Sequence, residues 1–483
     1  MHETTLYRLF ENAATFAGAE PALVVPGGTM TYARLHELSL GLAFQLCGAL
    51  ERRGPIAILC DSGPNLLQGF FACAAIGRPA LLLDPALPRQ AISRLLERHP
   101  PAALLASAKT VRMADPPAQP IIPLGEPYSP GEPSRLPSVE AGAEFYWGMT
   151  SGTTAESKLF ARSHASWTAS FEAAEAVFPF PPRSQVLIPG PLHHSLFLYG
   201  AIHALCRGLT VLLPGAFRPS RIAPFLRAAT HLYAVPFMLG ELAKLGCDAP
   251  NLRAVFSGGA KLTADQRRRC EQAWPAADLI EFYGASETSF LTFHSTRKPA
   301  PDGSVGRPFP GVRIEIRDPA GLPLPPGHEG EIFSSSPMSF SRYVGDAPVN
   351  SSFSVGDTGF FDSQGWLHLT GRVSRIINSK ALKIRPEIIE AALMELPEVR
   401  RVAVVDIPEA ARGAIPVAAI ETTGGDIRRN VLSAHCRQRL GPRLCPRRYY
   451  VADALPLTAS GKIAVARIRA ALLAEDPAFR ELR

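Results

Sequence analysis

Thr150, Ser151, Gly152, Thr153 and Thr154 put four hydroxyls and a glycine in one short run, and Lys158 follows close behind. Hydroxyls and free backbone N–H groups donate to anionic oxygens, glycine lets the backbone approach, and lysine adds a compact positive charge, so the segment suits a phosphate chain. It is not a Walker loop, because Ser157 precedes Lys158 where that pattern needs glycine. Taken alone, such a cluster is also an ordinary surface loop. Three more groups follow in order: Tyr283-Gly284-Ala285-Ser286-Glu287, then Asp357 through Gly371-Arg372, and last the run 456–462 ending in Lys462. Each is a weak signal by itself.

Together and in this order, the four groups resemble the motifs of the adenylate-forming superfamily, which holds acyl-CoA synthetases, peptide-synthetase adenylation domains and luciferases. Residues 150–164 (TSGTTAESKLFARSH) resemble its phosphate loop without a gap, and 304–311 (SVGRPFPG) its β-unit signature. The similarity runs from about residue 31 to 467. The resemblance implies that a carboxylic acid attacks the α-phosphorus of ATP, and that the negative charge gathered there is met by cations and donors. It assigns Thr150, Ser151, Gly152, Thr153, Thr154 and Lys158 to the β- and γ-phosphates, Ser286 to the α-phosphate and Glu287 to Mg2+. Tyr283 and Gly284 are assigned to adenine, Asp357 to the ribose hydroxyls, and Arg372 to ribose or phosphate. Ser257, Gly258, Gly259 and Ala260 look like the strand-end turn lining the acyl and adenine pockets, and Lys462 resembles the lysine bridging acid and phosphate.

Lys462 lies far along the chain from Ser151, which implies an adenylation core over 1–373 and a mobile C-terminal domain over 374–483 that closes over ATP. In the enzymes it resembles, that domain then turns about a hinge just after the Gly-Arg motif to admit a pantetheine thiol, and Ser374 falls at the hinge position. The chain departs from the family at Ala155, Ser157, Leu159 and Ser374, and also at Ala381 and Ile388, where glycine and glutamate are usual. The extra methyl at Ala381 narrows the thiol channel, which weighs on thioester formation more than on adenylation.

Amino-acid-activating relatives place an aspartate against the substrate ammonium, since a buried cation needs a counter-charge. The matching stretch here is Pro191-Leu192-His193-His194-Ser195-Leu196-Phe197, without a carboxylate. The expected substrate is therefore an aryl, fatty or other acyl acid, with His193, His194 and Phe197 in its pocket, His194 taking a catalytic part, and Tyr199, Phe237, Met238 and Phe290 as an apolar wall. The thiol acceptor is CoA or the phosphopantetheine of an acidic acyl carrier protein. Transfer to an amine, release of the adenylate, and a catalytically silent acyl- or nucleotide-binding relative are the alternatives.

The elements that must position these residues alternate. Helical spacing over 31–53, 65–76 and 88–98 is interleaved with short apolar strands at 55–60 and 79–83, and 185–189, 209–213, 232–235 and 254–257 repeat the rhythm. The fold class is α/β: two α/β sheets and a smaller β unit over 303–368 in a large N-terminal domain, then a small mobile α+β domain. The 483 residues carry a net charge of +7, and all of the excess falls after residue 373, where 19 Lys/Arg face 12 Asp/Glu. Arg428, Arg429, Arg437, Arg439, Arg443, Arg447 and Arg448 have no acid between them, a basic face for an anionic partner. Nothing indicates nucleic acid, and no apolar run reaches the roughly 18 to 20 residues of a membrane span. Without a secretory pattern at the start, and with eight cysteines read as reduced thiols, the expected location is cytoplasmic.

Overall fold

The computed structural model describes residues 4–50, 52–113, 120–125, 136–149, 158–349, 352–379, 382–409, 413–424, 427–458 and 462–482. The expected phosphate loop from Thr150 to Thr154, with Ala155 and Ser157, lies outside the described residues, as does Ala381.

Two large sheets form the N-terminal body. In the seven-stranded sheet, Ile56–Leu59 runs parallel between Ala80–Leu83 and Ala103–Ala106, and every residue of these strands is buried. Continuous apolar runs are what strands covered on both faces require. The nine-stranded sheet has Gln185–Leu187, His231–Ala234, Ala254–Ser257 and Asp278–Ala285 side by side and parallel. On its far side Thr210–Leu212 is followed by Pro21–Val25 and then by the edge strand Gly28–Thr31. The helices that cover these sheets begin where the side chains dictate. Thr31 caps Tyr32–Ala49, Ser163 caps His164–Val177, and Thr263 with Gln266 forms a capping box on Ala264–Ala273. One continuous apolar core spans both sheets.

The β unit is an antiparallel sheet of Arg313–Arg317, Gly330–Ser335, Asp357–Phe361 and Leu367–Arg372. Its register sets Asp357 directly opposite Arg372. The C-terminal unit is built on the long hairpin Val399–Glu409 and Gly413–Thr422, with Arg448–Ala452 parallel to the second strand and helices Pro386–Leu393, Arg429–Leu440 and Val465–Leu473 around it. Apolar clusters of its own lie on both faces of this sheet.

The expected α/β class and its smaller units are present. Three features differ from the sequence reading. The chain does not fill its sheets in order: Arg342–Tyr343 leaves the β unit to pair with Leu159–Ser163 at the edge of the seven-stranded sheet. Ile121–Pro123 adds a strand, parallel to Ala103–Ala106, that is not among the expected ones. The basic face is not free of acids in space, since Arg439 grips Glu395 through two hydrogen bonds of 2.7 and 2.6 Å. The apolar stretch near residue 199 is a twelve-residue helix, Ser195–Cys206, and no helix among the described residues is long and apolar enough to cross a membrane.

Phe10 stacks on Phe71 at 3.8 Å, pinning Leu6–Phe16 to Pro64–Ala75. Phe71→Ala removes that contact and leaves a buried void, so it is expected to destabilise the N-terminal body by about 3–5 kcal/mol, read as a lowered calorimetric midpoint.

Candidate active site

The site grows from the ends of two adjacent parallel strands. Ala254–Ser257 ends in the turn Gly258, Gly259, Ala260, where Gly259 takes φ +85°, a conformation that side-chain-bearing residues rarely adopt. Its neighbour Asp278–Ala285 carries Tyr283, then turns sharply at Ser286, Glu287 and Thr288 into the antiparallel strand Ser289–Ser295. A Cβ at Gly284 would collide with the Ser289 carbonyl, and Ser289 itself sits at φ 59°. The turn is tight, and something must hold it.

Arg162 does so. This fully buried guanidinium donates from Nε to Ser166 Oγ (3.1 Å), from Nη1 to the Ser286 carbonyl (2.8 Å), and from Nη2 to Ser289 Oγ (2.8 Å) and the Met338 carbonyl (2.6 Å). All four acceptors are neutral. Burial pulls its pKa down to about 9, with Glu287 as the chief charge opposing that shift. The clamp therefore fixes the segment that carries Ser286 and Glu287. Glu287 is buried too, and burial raises its pKa, while the Tyr343 hydroxyl donating to Oε1 at 3.0 Å works the other way. Lys158 lies over the Tyr343 ring at 5.1 Å, which places a phosphate-binding candidate beside the Mg2+ candidate.

Across the cleft, the cross-strand pairing of the β unit puts Arg372 Nε 2.6 Å from Asp357 Oδ1, and Tyr283 donates its hydroxyl to Oδ2 at 2.7 Å. Asp357 thus has a cation on one oxygen and a phenol on the other. Burial and then the Asp357 charge push the Tyr283 hydroxyl far above its ordinary range. Residues 74 and 15 positions apart in the sequence meet at one carboxylate.

Two cavities open here. The larger, ≈ 440 Å³, is lined by Gly259, Ala260, Tyr283, Gly284, Asp357 and Arg372 among others. The smaller, ≈ 150 Å³, is lined by Ser195, Tyr199, Ser286, Phe290 and the Arg162 clamp among others. Gly259, Phe282, Gly284 and Lys462 belong to both. Lys462 comes from the C-terminal unit and reaches Gly259, to whose built Cβ its Cε would stand at 3.7 Å. The residue keeps an exposed flank, yet its ammonium sits among protein groups. Desolvation and then Arg372 lower its pKa, against the pull of Asp357 and Glu287.

Other expected residues fall differently. His193 is tied to the turn after Ile56–Leu59, with Nε2 2.9 Å from the Cys60 carbonyl and Nδ1 3.4 Å from Ser62 Oγ, and it lines neither cavity. Its position is explained by holding two loops together. Phe197 packs on Gly190, which has no room for a Cβ against that ring, so it belongs to the core rather than to a pocket. Gly258 lies under the Phe282 ring. Of the expected apolar wall, Tyr199 and Phe290 line the smaller cavity, while Phe237 and Met238 do not. His194 leaves Nε2 buried without a hydrogen-bond partner, its pKa lowered by burial, and Ser257 Oγ is likewise buried and unpartnered. Ser374 is exposed in the short turn Val373–Arg375, whose Arg375 is bonded to Glu387 and Glu390.

Sequence reading missed Arg162 and Tyr343. A lone arginine in the buried strand Leu159–Ser163 is a readable signal for the first, whereas Tyr343 enters only through the nonlocal pairing of Arg342–Tyr343. Because Arg162 works as a planar fork, Arg162→Lys keeps the charge but loses several of its bonds. We expect a loss of about 3 kcal/mol in stability, measured as a fall in the thermal midpoint comparable with that of Arg162→Met.

Comparison with known proteins bears on this arrangement. The AMP-binding enzyme family matches residues 9–344, and its C-terminal domain family matches 388–462. A Bacillus subtilis protein named as an uncharacterized acyl-CoA ligase, YhfT, is 37% identical over 490 residues, covering 96% of this chain and 98% of its own. Among solved structures, the amide bond synthetase McbA from Marinactinospora thermotolerans superposes with a TM-score of 0.85 at 28% identity, covering 97% of this chain and 99% of its own. The o-succinylbenzoate CoA synthetase MenE of Bacillus subtilis, in complex with its acyl-adenylate intermediate, gives a TM-score of 0.85 at 23% identity, over 97% and 98% of the two chains. With matches that take in most of its length, the chain belongs to the AMP-binding enzyme family, within the adenylate-forming superfamily.

Proposed function

We propose that the protein activates a small carboxylic acid with ATP as acyl-AMP, releasing pyrophosphate, and then passes the acyl group to the thiol of CoA. The observation that carries this reading is Lys462, one ammonium at the mouth shared by two cavities of different chemistry. On this reading the larger cavity takes adenosine, with Tyr283 along the base and Asp357 toward the ribose hydroxyls. The smaller takes the acyl part; His194, which lines neither cavity but has Nε2 buried and unpartnered just before Ser195 of the lining, is proposed to act from behind that wall. Lys462 stands where the acid oxygen meets the α-phosphorus, and it binds both partners while their negative charge is brought together. Ser286 is held for the α-phosphate by the Arg162 clamp. Glu287, a buried carboxylate with one oxygen on Tyr343 and guanidinium groups beyond, suits a hard divalent cation and would hold Mg2+, which offsets phosphate charge. Thr150 to Thr154, with Lys158, are proposed to enclose the outer phosphates.

The lining of the smaller cavity supports an acid without an α-ammonium, since it holds two cations, Arg162 and Lys462, and no carboxylate among the described residues. CoA as acceptor rests on the likeness to the named acyl-CoA ligase. The exposed Arg428, Arg429, Arg437, Arg443, Arg447 and Arg448 suit either the phosphates of CoA or an acidic carrier protein. Rotation of the 374–483 domain about Ser374 is part of the proposal, and free cysteines fit a cytoplasmic location. An amine acceptor is the second reading, favoured by the similarity to an amide bond synthetase.

Acid-dependent exchange of labelled pyrophosphate into ATP tests the first half-reaction, and intact mass after adding CoA, a pantetheinylated carrier or an amine identifies the acceptor. Lys462→Ala is expected to lower exchange by about 10²–10³-fold while ATP binding falls far less; equal losses contradict the assignment. The protonated lysine is the useful form, and its pKa in the free protein is lowered, so activity is lost as pH rises through that lowered value. Bound phosphate raises it again. The alkaline limb of kcat/KM for ATP should therefore lie at lower pH than the limb of kcat, as measured by full rate profiles.

A further inference from the structure

From the volume and ring-rich lining of the smaller cavity, we infer that the acid is compact and planar, a single-ring aryl carboxylic acid, and that long-chain fatty acids are excluded. The inference rests on the acid-activating reading above and adds the substrate class to it. At ≈ 150 Å³ the cavity is about half the roughly 300 Å³ at which pockets for drug-sized ligands begin. Its apolar wall is made mainly of rings, Trp167, Tyr199, Phe282 and Phe290, with Leu196 and Ala285 beside them. Trp167 meets Tyr199 at 5.6 Å and 73°, Tyr199 meets Phe290 at 5.1 Å and 86°, and Phe290 meets Phe282 at 4.9 Å and 84°. These edge-to-face pairs present faces and edges in alternation. A flat aromatic guest adds contacts of the same kind, which are favourable beyond area burial. A flexible acyl chain gains only the area and loses rotamer freedom on entering.

Among the described residues, the far wall is backed by further rings. Phe282 and Phe290 line both this cavity and, on their other side, a void of only ≈ 10 Å³. They are a partition, and Phe309 stacks behind Phe290 at 4.9 Å. Tyr199 is pinned by its hydroxyl donating to the Ser170 carbonyl at 3.0 Å. Phe290 is thus the residue that ends the pocket and sets the permitted length.

The test compares benzoate, hexanoate, octanoate and palmitate in pyrophosphate exchange, and in parallel follows their binding by tryptophan fluorescence, to which Trp167 in the wall responds. Benzoate is expected to exceed each aliphatic acid at least tenfold in kcat/KM and to bind saturably where palmitate does not. Phe290→Ala, and the gentler Phe290→Leu, should raise the octanoate-to-benzoate ratio at least tenfold through the KM for acid, with the KM for ATP unchanged. A wild-type preference for hexanoate, octanoate or palmitate, or a ratio that neither variant moves, overturns the inference. Selective benzoate binding with no exchange for any acid upholds this pocket and overturns the adenylation reading instead.

Discussion

One ammonium group placed where two cavities meet is the constraint on which the rest of the structure depends. Nucleotide phosphates and a carboxylate are both anions, and forcing them together is unfavourable unless a cation lies between them. On the proposed reading Lys462 is that cation, and it comes from a unit with its own apolar cores. The arrangement couples chemistry to placement of the C-terminal unit: moving that unit removes the charge from the cleft. Its pKa is lowered because loss of water and then neighbouring Arg372 disfavour the charged form.

The opposite wall solves a related problem with fixed parts. Ser286 and Glu287 stand on a tight turn between two strands, and a turn with a positive φ at Ser289 is not self-supporting. Arg162 supplies the rigidity through four bonds to neutral acceptors, so its charge stays unspent within a few residues of the proposed phosphate site. On the proposed reading this buried guanidinium both shapes the turn and adds to the positive field there. Asp357 is fixed in the same way: Tyr283 and Arg372 hold its two oxygens in place.

Much of this was legible in the residues. Buried strands such as Ile56–Leu59 and Ala254–Ser257 announce themselves as short apolar runs, and of the residues in the ordered motifs Tyr283, Asp357, Arg372 and Lys462 line one cavity. What stayed hidden is nonlocal. His193 and Phe197 sit in the same short segment as His194, and nothing in their types says that one would be tied to Cys60 and Ser62 and another packed on Gly190. Tyr343 reaches Glu287 only because its strand crosses to another sheet. Periodicity reports which face is buried; it does not report which partner a long-range pairing will bring.

The most direct test of the central claim, that the acid's own oxygen attacks the α-phosphorus, follows atoms rather than rates. Acid labelled with ¹⁸O in both carboxylate oxygens is turned over with ATP, Mg2+ and CoA, and the nucleotide product is weighed. Attack at the α-phosphorus followed by cleavage of the acyl carbon–oxygen bond leaves one ¹⁸O in AMP for each turnover. Label found in inorganic phosphate, or AMP without label while thioester accumulates, would contradict the account.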